Sequence, residues 1–223
     1  MKRIFIPTQG PDDWKRFLAK PELHWKPGYS AMMAAERWDS RGGFHLPPEV
    51  SGVLTASGDP SLANLELLAA FPEWQTKLPG GERCSCTDVL AITRNALGLV
   101  VIAVEAKVDE PFGPTVREKM ANATTGQMER IDFLVSLLFG GQAPDPAVRY
   151  QLMHRTASAI LTARQFHAST AMMLVHSFSE ASRWREDFEA FCSAISAQKI
   201  SDDAYTVVQF ERPSLFLAWC AGK

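Results

Sequence analysis

At 223 residues, 46% of them hydrophobic and 22% charged, the chain has the size and composition of one ordinary globular domain with a substantial core. Its net charge of −2 excludes a protein coated for bulk nucleic-acid binding, though not a local basic groove. No apolar run is long enough to cross a bilayer, and the start, Met-Lys-Arg-Ile-Phe-Ile-Pro, lacks a long apolar signal segment, so a cytoplasmic location and no membrane partner are expected.

Lys2 to Thr8 reads as a short strand ended by Pro7. Gln9-Gly-Pro-Asp-Asp suits a helix start, and Trp14, Phe17 and Leu18 follow at helical spacing until Pro21. Ser30 can cap a second helix with the stripe Ala31, Ala34, Ala35 and Trp38, which Arg41-Gly-Gly stops. Residues 42–60, rich in Gly, Pro and Ser, read mainly as loop. Ser61 is expected to cap a third helix through about Phe71. A strand pair follows Leu78-Pro-Gly-Gly81. The stretch from Val108 to Ala123 has no firm assignment beyond a loop at Asp109-Glu-Pro-Phe-Gly-Pro. Thr124-Thr-Gly-Gln127 fits a capping box opening a helix to about Phe139, and a longer helix covers about Pro146 to Phe166. Thr170 to Phe178 suits a buried strand. A helix over about Ser182 to Ala197 and a hairpin, Ala204 to Phe210 with Leu215 to Cys220, complete the order. The chain reads as one domain over residues 1–223, with an N-terminal helical elaboration.

The strand pair carries the most information. Two apolar runs flank Asn95-Ala-Leu-Gly98, residues that suit a type I turn. Arg94 then faces Leu99, and the same register sets Asp88 opposite Glu105, with Cβ atoms about 5 Å apart. Lys107, two residues on, projects from the same face as Glu105. Both faces of the pair are otherwise apolar, so the sheet is expected to be covered on both sides by helices: a three-layer α/β arrangement with a mixed sheet. Charges placed there need a reason, because burying them unpaired is costly. Two carboxylates can share one Mg²⁺ (or Mn²⁺), to which the Ala106 carbonyl can add a ligand. The ion can polarise a phosphate oxygen and ionise a water, with Lys107 orienting that water. The competing reading is a cross-strand ion pair with no metal. Four cysteines are too few to staple the chain. Cys84 and Cys86 can share a face as zinc ligands, but the spacing differs from a zinc knuckle and Cys192 and Cys220 are isolated, so reduced structural thiols are expected.

Asp88 followed at a distance by Glu105-Ala-Lys107 resembles the motif of the PD-(D/E)XK nuclease-like superfamily, with Thr87 in place of its usual proline. Gly28-Tyr-Ser-Ala31, Leu78-Pro-Gly-Gly81, Val104-Glu-Ala-Lys-Val-Asp-Glu-Pro-Phe-Gly113, Arg149-Tyr-Gln-Leu-Met-His-Arg-Thr-Ala-Ser-Ala159 and Met173-Leu-Val-His-Ser-Phe178 are similar to segments of a bacterial family of unknown function assigned to that superfamily. The resemblance implies a restriction-endonuclease-like αβββαβ core, metal binding by Asp88 and Glu105, and a catalytic Lys107. It also implies a further glutamate from an early helix, for which Glu36 and Glu66 are both candidates. Gln151, His154, Arg155 and Ser158 form one polar stripe on the long helix. An ordinary wet face is one reading; the resemblance favours Gln151 and Arg155 near the metal, contacting a phosphate or the attacking water. His176, in an apolar strand, reads as a hydrogen-bonded core residue.

The expected activity is Mg²⁺-dependent hydrolysis of DNA or RNA. The alternative is a non-catalytic module of the same fold that binds nucleic acid or a protein partner. A weaker third reading is a hydrolase of a small phosphorylated metabolite. A homodimer is compatible with the resemblance, since many nuclease-like domains dimerise to cut two strands.

Overall fold

A computed structural model describes residues 8–39 and 45–222. The strand expected over Lys2 to Thr8, apart from Thr8 itself, and the helix stop at Arg41-Gly-Gly lie outside the described residues. The chain runs through a 3-10 helix (Pro11–Phe17), α1 (Pro21–His24), α2 (Ser30–Asp39), α3 (Pro48–Ala56), β1 (Glu66–Thr76), β2 (Ser85–Asn95) and β3 (Gly98–Lys107). It continues with α4 (Val116–Ala121), α5 (Thr125–Phe139), α6 (Tyr150–Gln165), β4 (Thr170–Ser177), α7 (Arg185–Ala194), β5 (Gln198–Lys199), β6 (Ala204–Glu211) and β7 (Ser214–Ala221). Among the described residues no helix is long and apolar enough to cross a membrane.

The strands form one mixed sheet in the order β1-β2-β3-β4-β7-β6-β5. β1, β2 and β3 are antiparallel neighbours, while β3–β4 and β4–β7 are parallel. Arg94 faces Leu99 and Val89 faces Val104, the register that a turn at Asn95 to Gly98 dictates. Alternation then sorts the side chains. Val89, Ala91, Val100, Ile102 and Val104 pack with Ala34, Ala35, Val50 and Leu54 of α2 and α3. Leu90, Ile92, Val101 and Ala103 pack with Ile131, Leu134, Leu152 and Ile160 of α5 and α6. Helices therefore cover both faces, which is why the central strands read as unbroken apolar runs. The capping box at Thr124 and Gln127 forms and opens α5.

Two local expectations fail, and one unassigned stretch takes a helix. The helix expected from Ser61 to about Phe71 is absent: residues 66–76 form an edge strand, because β2 offers them an antiparallel ladder along almost their whole length and tertiary pairing overrides local propensity. The loop expected over residues 42–60 contains α3, with Pro48 in its first turn, where a missing N–H costs nothing. The unassigned stretch before Thr124 holds α4, opened by a second capping box at Thr115 and Glu118.

His176 is fully buried, as expected of a core histidine, and it ties α2 and α3 to β4. Trp38 Nε1 donates to its Nδ1 at 3.2 Å, and Glu49 Oε1 lies 3.3 Å from its Nε2. Arg37 closes the group by pairing with Glu49. Burial pushes the Glu49 carboxyl up, but the His176 and Arg37 groups around it outweigh that and hold it at about 2. The folded value thus lies below the ordinary 4.5, so the contact stabilises the fold above pH 4.5 and loses its effect as pH falls toward 2. Glu49→Gln is expected to lower stability at neutral pH by about 1–2 kcal/mol and to flatten the acid limb of stability against pH across that window, as read by urea denaturation.

Candidate functional site

Asp88 lies where its strand loosens on both sides. The β2–β3 ladder ends at Val89↔Val104, one residue short of it. On the other side Pro72↔Val89 and Trp74↔Thr87 bracket Glu73, which falls opposite Asp88 but adopts φ 52°, a conformation that takes a non-glycine residue out of regular pairing. Asp88 Oδ2 fills part of the gap by accepting from the Ala106 N–H at 2.7 Å. In a strand a residue's N–H and C=O point the same way, so the Ala106 carbonyl faces this gap too. A small, mostly apolar cavity of about 10 Å³, lined by Trp14, Leu18, Trp25, Ala31 and Ala34 with Asp88 and Glu73, has room for the centre of roughly one water-sized sphere and lies on the α2 side of this gap.

Glu105 sits on the α6 face and is 2% exposed. Its carboxylate accepts from Lys107 Nζ at 2.9 Å, from Gln151 Nε2 at 2.6 Å and from Arg155. Gln151 and Arg155 are four apart on α6, so one turn of helix delivers both to the same carboxylate. Lys107 and Arg155 are themselves buried, and Lys107 Nζ lies 5.2 Å from the Phe112 ring centre. Arg155 also donates through Nη1 to Ser85 Oγ at 3.2 Å, and Ser85 Oγ lies 2.9 Å from His154 Nδ1. The polar stripe of α6 is therefore no wet surface at Arg155 and Ser158, which are buried.

The two acids have opposite electrostatics. Burial alone would raise Glu105, but Arg155 and Lys107 outweigh it and hold the carboxyl at about 2. Asp88 is pushed well above the usual carboxylate range, by burial and then by the negative charge of Glu105. Glu73 is likewise raised, chiefly by burial, although Cys86 Sγ donates to it at 2.9 Å. Three carboxylates thus face two cations, Lys107 and Arg155, leaving the Asp88 side short of positive charge.

That shortage and the Ala106 carbonyl, which faces the same gap, fit a hard cation. Mg²⁺ takes oxygen ligands and keeps several waters; Asp88, Glu105 and the Ala106 carbonyl are the oxygens this chain would offer it. Thr87 Oγ1, the hydroxyl of the residue before Asp88, is buried with no hydrogen-bond partner. Among the described residues no three His, Cys, Asp or Glu side chains are grouped so as to hold a metal ion between them. All four cysteines are free thiols.

Neither proposed early-helix glutamate joins this cluster. Glu36 is on α2 but exposed, turned away from the stripe that buries Ala34, Ala35 and Trp38. Glu66 belongs to no helix: it starts β1 and pairs at the surface with Arg94 at 3.0 Å. The third acid near Asp88 is Glu73, which sequence reasoning missed because β1 was not read as a strand. Ser85 and the Gly80-Gly81 turn were missed as well. Gly80 adopts φ 72°, and a Cβ there would lie 2.1 Å from the Gly126 carbonyl oxygen and 2.6 Å from the Arg130 nitrogen. Gly80→Ala is expected to cost about 2 kcal/mol or more through strain and backbone clash, lowering the thermal midpoint by several degrees.

The chain belongs to the family described as a domain of unknown function (DUF6946), which matches residues 7–223. No curated protein and no solved structure matches it.

Proposed function

We propose that this protein is a divalent-cation-dependent phosphodiesterase of the PD-(D/E)XK, restriction-endonuclease-like type that hydrolyses DNA or RNA. The observation that carries the proposal is the gathering of Lys107, Gln151 and Arg155 on the buried Glu105, with Asp88 bonded to the neighbouring Ala106 N–H and under the negative charge of Glu105. Supporting it, α3, the antiparallel strands β1 to β3, α6 and the parallel strand β4 come in this order in the chain, the αβββαβ order expected of that core, with α4 and α5 inserted between β3 and α6.

Asp88, Glu105 and the Ala106 carbonyl would hold Mg²⁺ or Mn²⁺, which supplies a polarised phosphate oxygen and a water more easily ionised. The chain's own groups do the rest. Arg155 fixes the Glu105 carboxylate by a charged hydrogen bond, anchored in turn on Ser85. Gln151 spends its amide N–H on Glu105 and keeps its carbonyl oxygen as an acceptor for a water. Lys107 uses one of three N–H donors on Glu105 and offers the others to that water or to charge growing on the phosphorus-bound oxygens. The network holds these groups in position before substrate arrives.

One observation favours the alternative of a non-catalytic module binding nucleic acid or a protein partner: Lys107 and Arg155 neutralise Glu105 without any ion. Incubation of the purified protein with single- and double-stranded DNA and RNA, with Mg²⁺ or Mn²⁺, separates the two. Hydrolysis that disappears in Lys107→Ala and Asp88→Ala is the expected result. Hydrolysis that survives these changes, or none in the wild type, contradicts the assignment.

A further inference from the structure

Beyond Arg155, past the Ser85 and His154 side chains that meet there, the fold forms a second polar concavity. Its volume is about 590 Å³, within the range of small-molecule sites. It opens between the β1–β2 connection, α4, the first turns of α5 and the start of α6. Arg83, Lys119, Thr124, Arg130, Tyr150 and His154 line it, and Glu82 is the one carboxylate on its wall.

Its cations are not spent on acids. Arg130 donates to the neutral Pro79 and Gly81 carbonyls at 3.1 and 3.3 Å, and Lys119 Nζ stands 5.4 Å from the centre of the Tyr150 ring. Among the described residues neither lies within ion-pair distance of a carboxylate, in a chain whose net charge is −2. The positive end of α5, a 15-residue helix, opens on the same space through Thr124 and Gln127 and adds to the field. His154 senses that field: burial first, then the charges of Arg155, Arg130 and Lys119, push it down to about 3, so at neutral pH it lines the pocket uncharged.

We propose that this pocket binds a phosphate monoester, with Lys119 and Arg130 as its charge partners. A monoester carries about −1.5 to −2 at pH 7 and three acceptor oxygens, which matches two unpaired cations and the adjoining Thr124, Gln127 and Tyr150 donors. A diester, with a single charge, would leave the pair half neutralised. Arg155 joins the two sites, bonded to Glu105 by Nε and to Ser85, on the pocket wall, by Nη1. That the phosphate belongs to a nucleotide or a strand end rests on the hydrolytic reading; the phosphate site itself does not.

The test is a calorimetric titration of the full chain in chelator, where no hydrolysis occurs. The probes are an oligothymidylate with a 5′ or 3′ terminal phosphate, the same strand with hydroxyl ends, and the two mononucleotides. A terminal phosphate is expected to tighten binding about tenfold or more, and Lys119→Gln and Arg130→Gln each to remove about tenfold. Among the described residues the Lys119 side chain makes no hydrogen bond or ion pair and only approaches the Tyr150 ring, so its variant keeps the fold even where that of Arg130, which anchors the Gly80-Gly81 turn, does not. A mononucleotide that binds as tightly as the strand assigns the site to a free phosphorylated metabolite; a tighter strand assigns it to a nucleic-acid end. Binding indifferent to the terminal phosphate, or unchanged in Lys119→Gln, overturns the proposal. Asp88→Asn should keep the affinity gained from the terminal phosphate, the difference between phosphorylated and hydroxyl-ended strands, so loss of hydrolysis and loss of this site are read separately.

Discussion

Glu105→Gln is expected to lower stability by about 3–5 kcal/mol, the scale for stranding buried charge. The change is nearly isosteric, so packing is preserved and the effect isolates electrostatics. Glutamine leaves Lys107 and Arg155 facing each other, both buried, with their shared counter-charge gone. Adding Arg155→Met should recover part of the loss by removing one stranded cation, and a double-mutant cycle measured by urea denaturation gives the coupling. The wild-type pair also predicts acid sensitivity. Arg155 and Lys107 hold Glu105 at about 2 against an ordinary 4.5. The stabilisation is complete above pH 4.5 and fades as pH falls toward 2. A cost below about 1 kcal/mol for Glu105→Gln would mean that the cluster is open to water, since exposed pairs contribute only that much.

Asp88→Asn is expected to do the reverse: to stabilise the ion-free protein while lowering hydrolysis by about 100-fold or more, the scale of one lost electrostatic group at a reacting centre. Asp88 is held above its ordinary range by burial and by Glu105, so its ionised form is a burden on the fold at neutral pH. The sign follows from linkage: a carboxyl raised in the folded state destabilises above its folded value, and that burden lifts as pH falls through it. Asparagine removes the charge and keeps the shape. At neutral pH its melting temperature should exceed that of the wild type in chelator, and its stability should no longer gain from mild acidification. A residue that weakens the fold yet is needed for activity is the pattern of a functional site. If Asp88→Asn instead melts lower and hydrolyses normally, Asp88 serves only to accept the Ala106 N–H.

Much of this arrangement was legible because it follows from local rules. Asn95 and Gly98 fix the turn, the turn fixes the register, and the register delivers Glu105 and Lys107 to the face that α6 covers. Helical spacing does the same for Gln151 and Arg155. What stayed hidden depends on contacts distant in sequence. Glu73 comes to Asp88 only because residues 66–76 pair with β2, and that stretch carries no clean alternation: its burial is irregular, with a register shift between Leu67 and Ala69. Glu66 looked like a helical residue for the same reason. The basic pocket draws Arg83, Lys119, Arg130 and Tyr150 from four separate segments, and no spacing rule joins them. α3 was lost in a Gly- and Pro-rich region because Pro48 marks a helix start as readily as a turn.

The most direct test of the account is the affinity of Mn²⁺ for the protein, measured by electron paramagnetic resonance on wild type and on Asp88→Asn at neutral pH. The account predicts one bound ion in the wild type and at least tenfold weaker binding in the variant, with the fold intact. A wild type that takes up no Mn²⁺, or a variant that holds it equally well, would contradict a cation between Asp88 and Glu105.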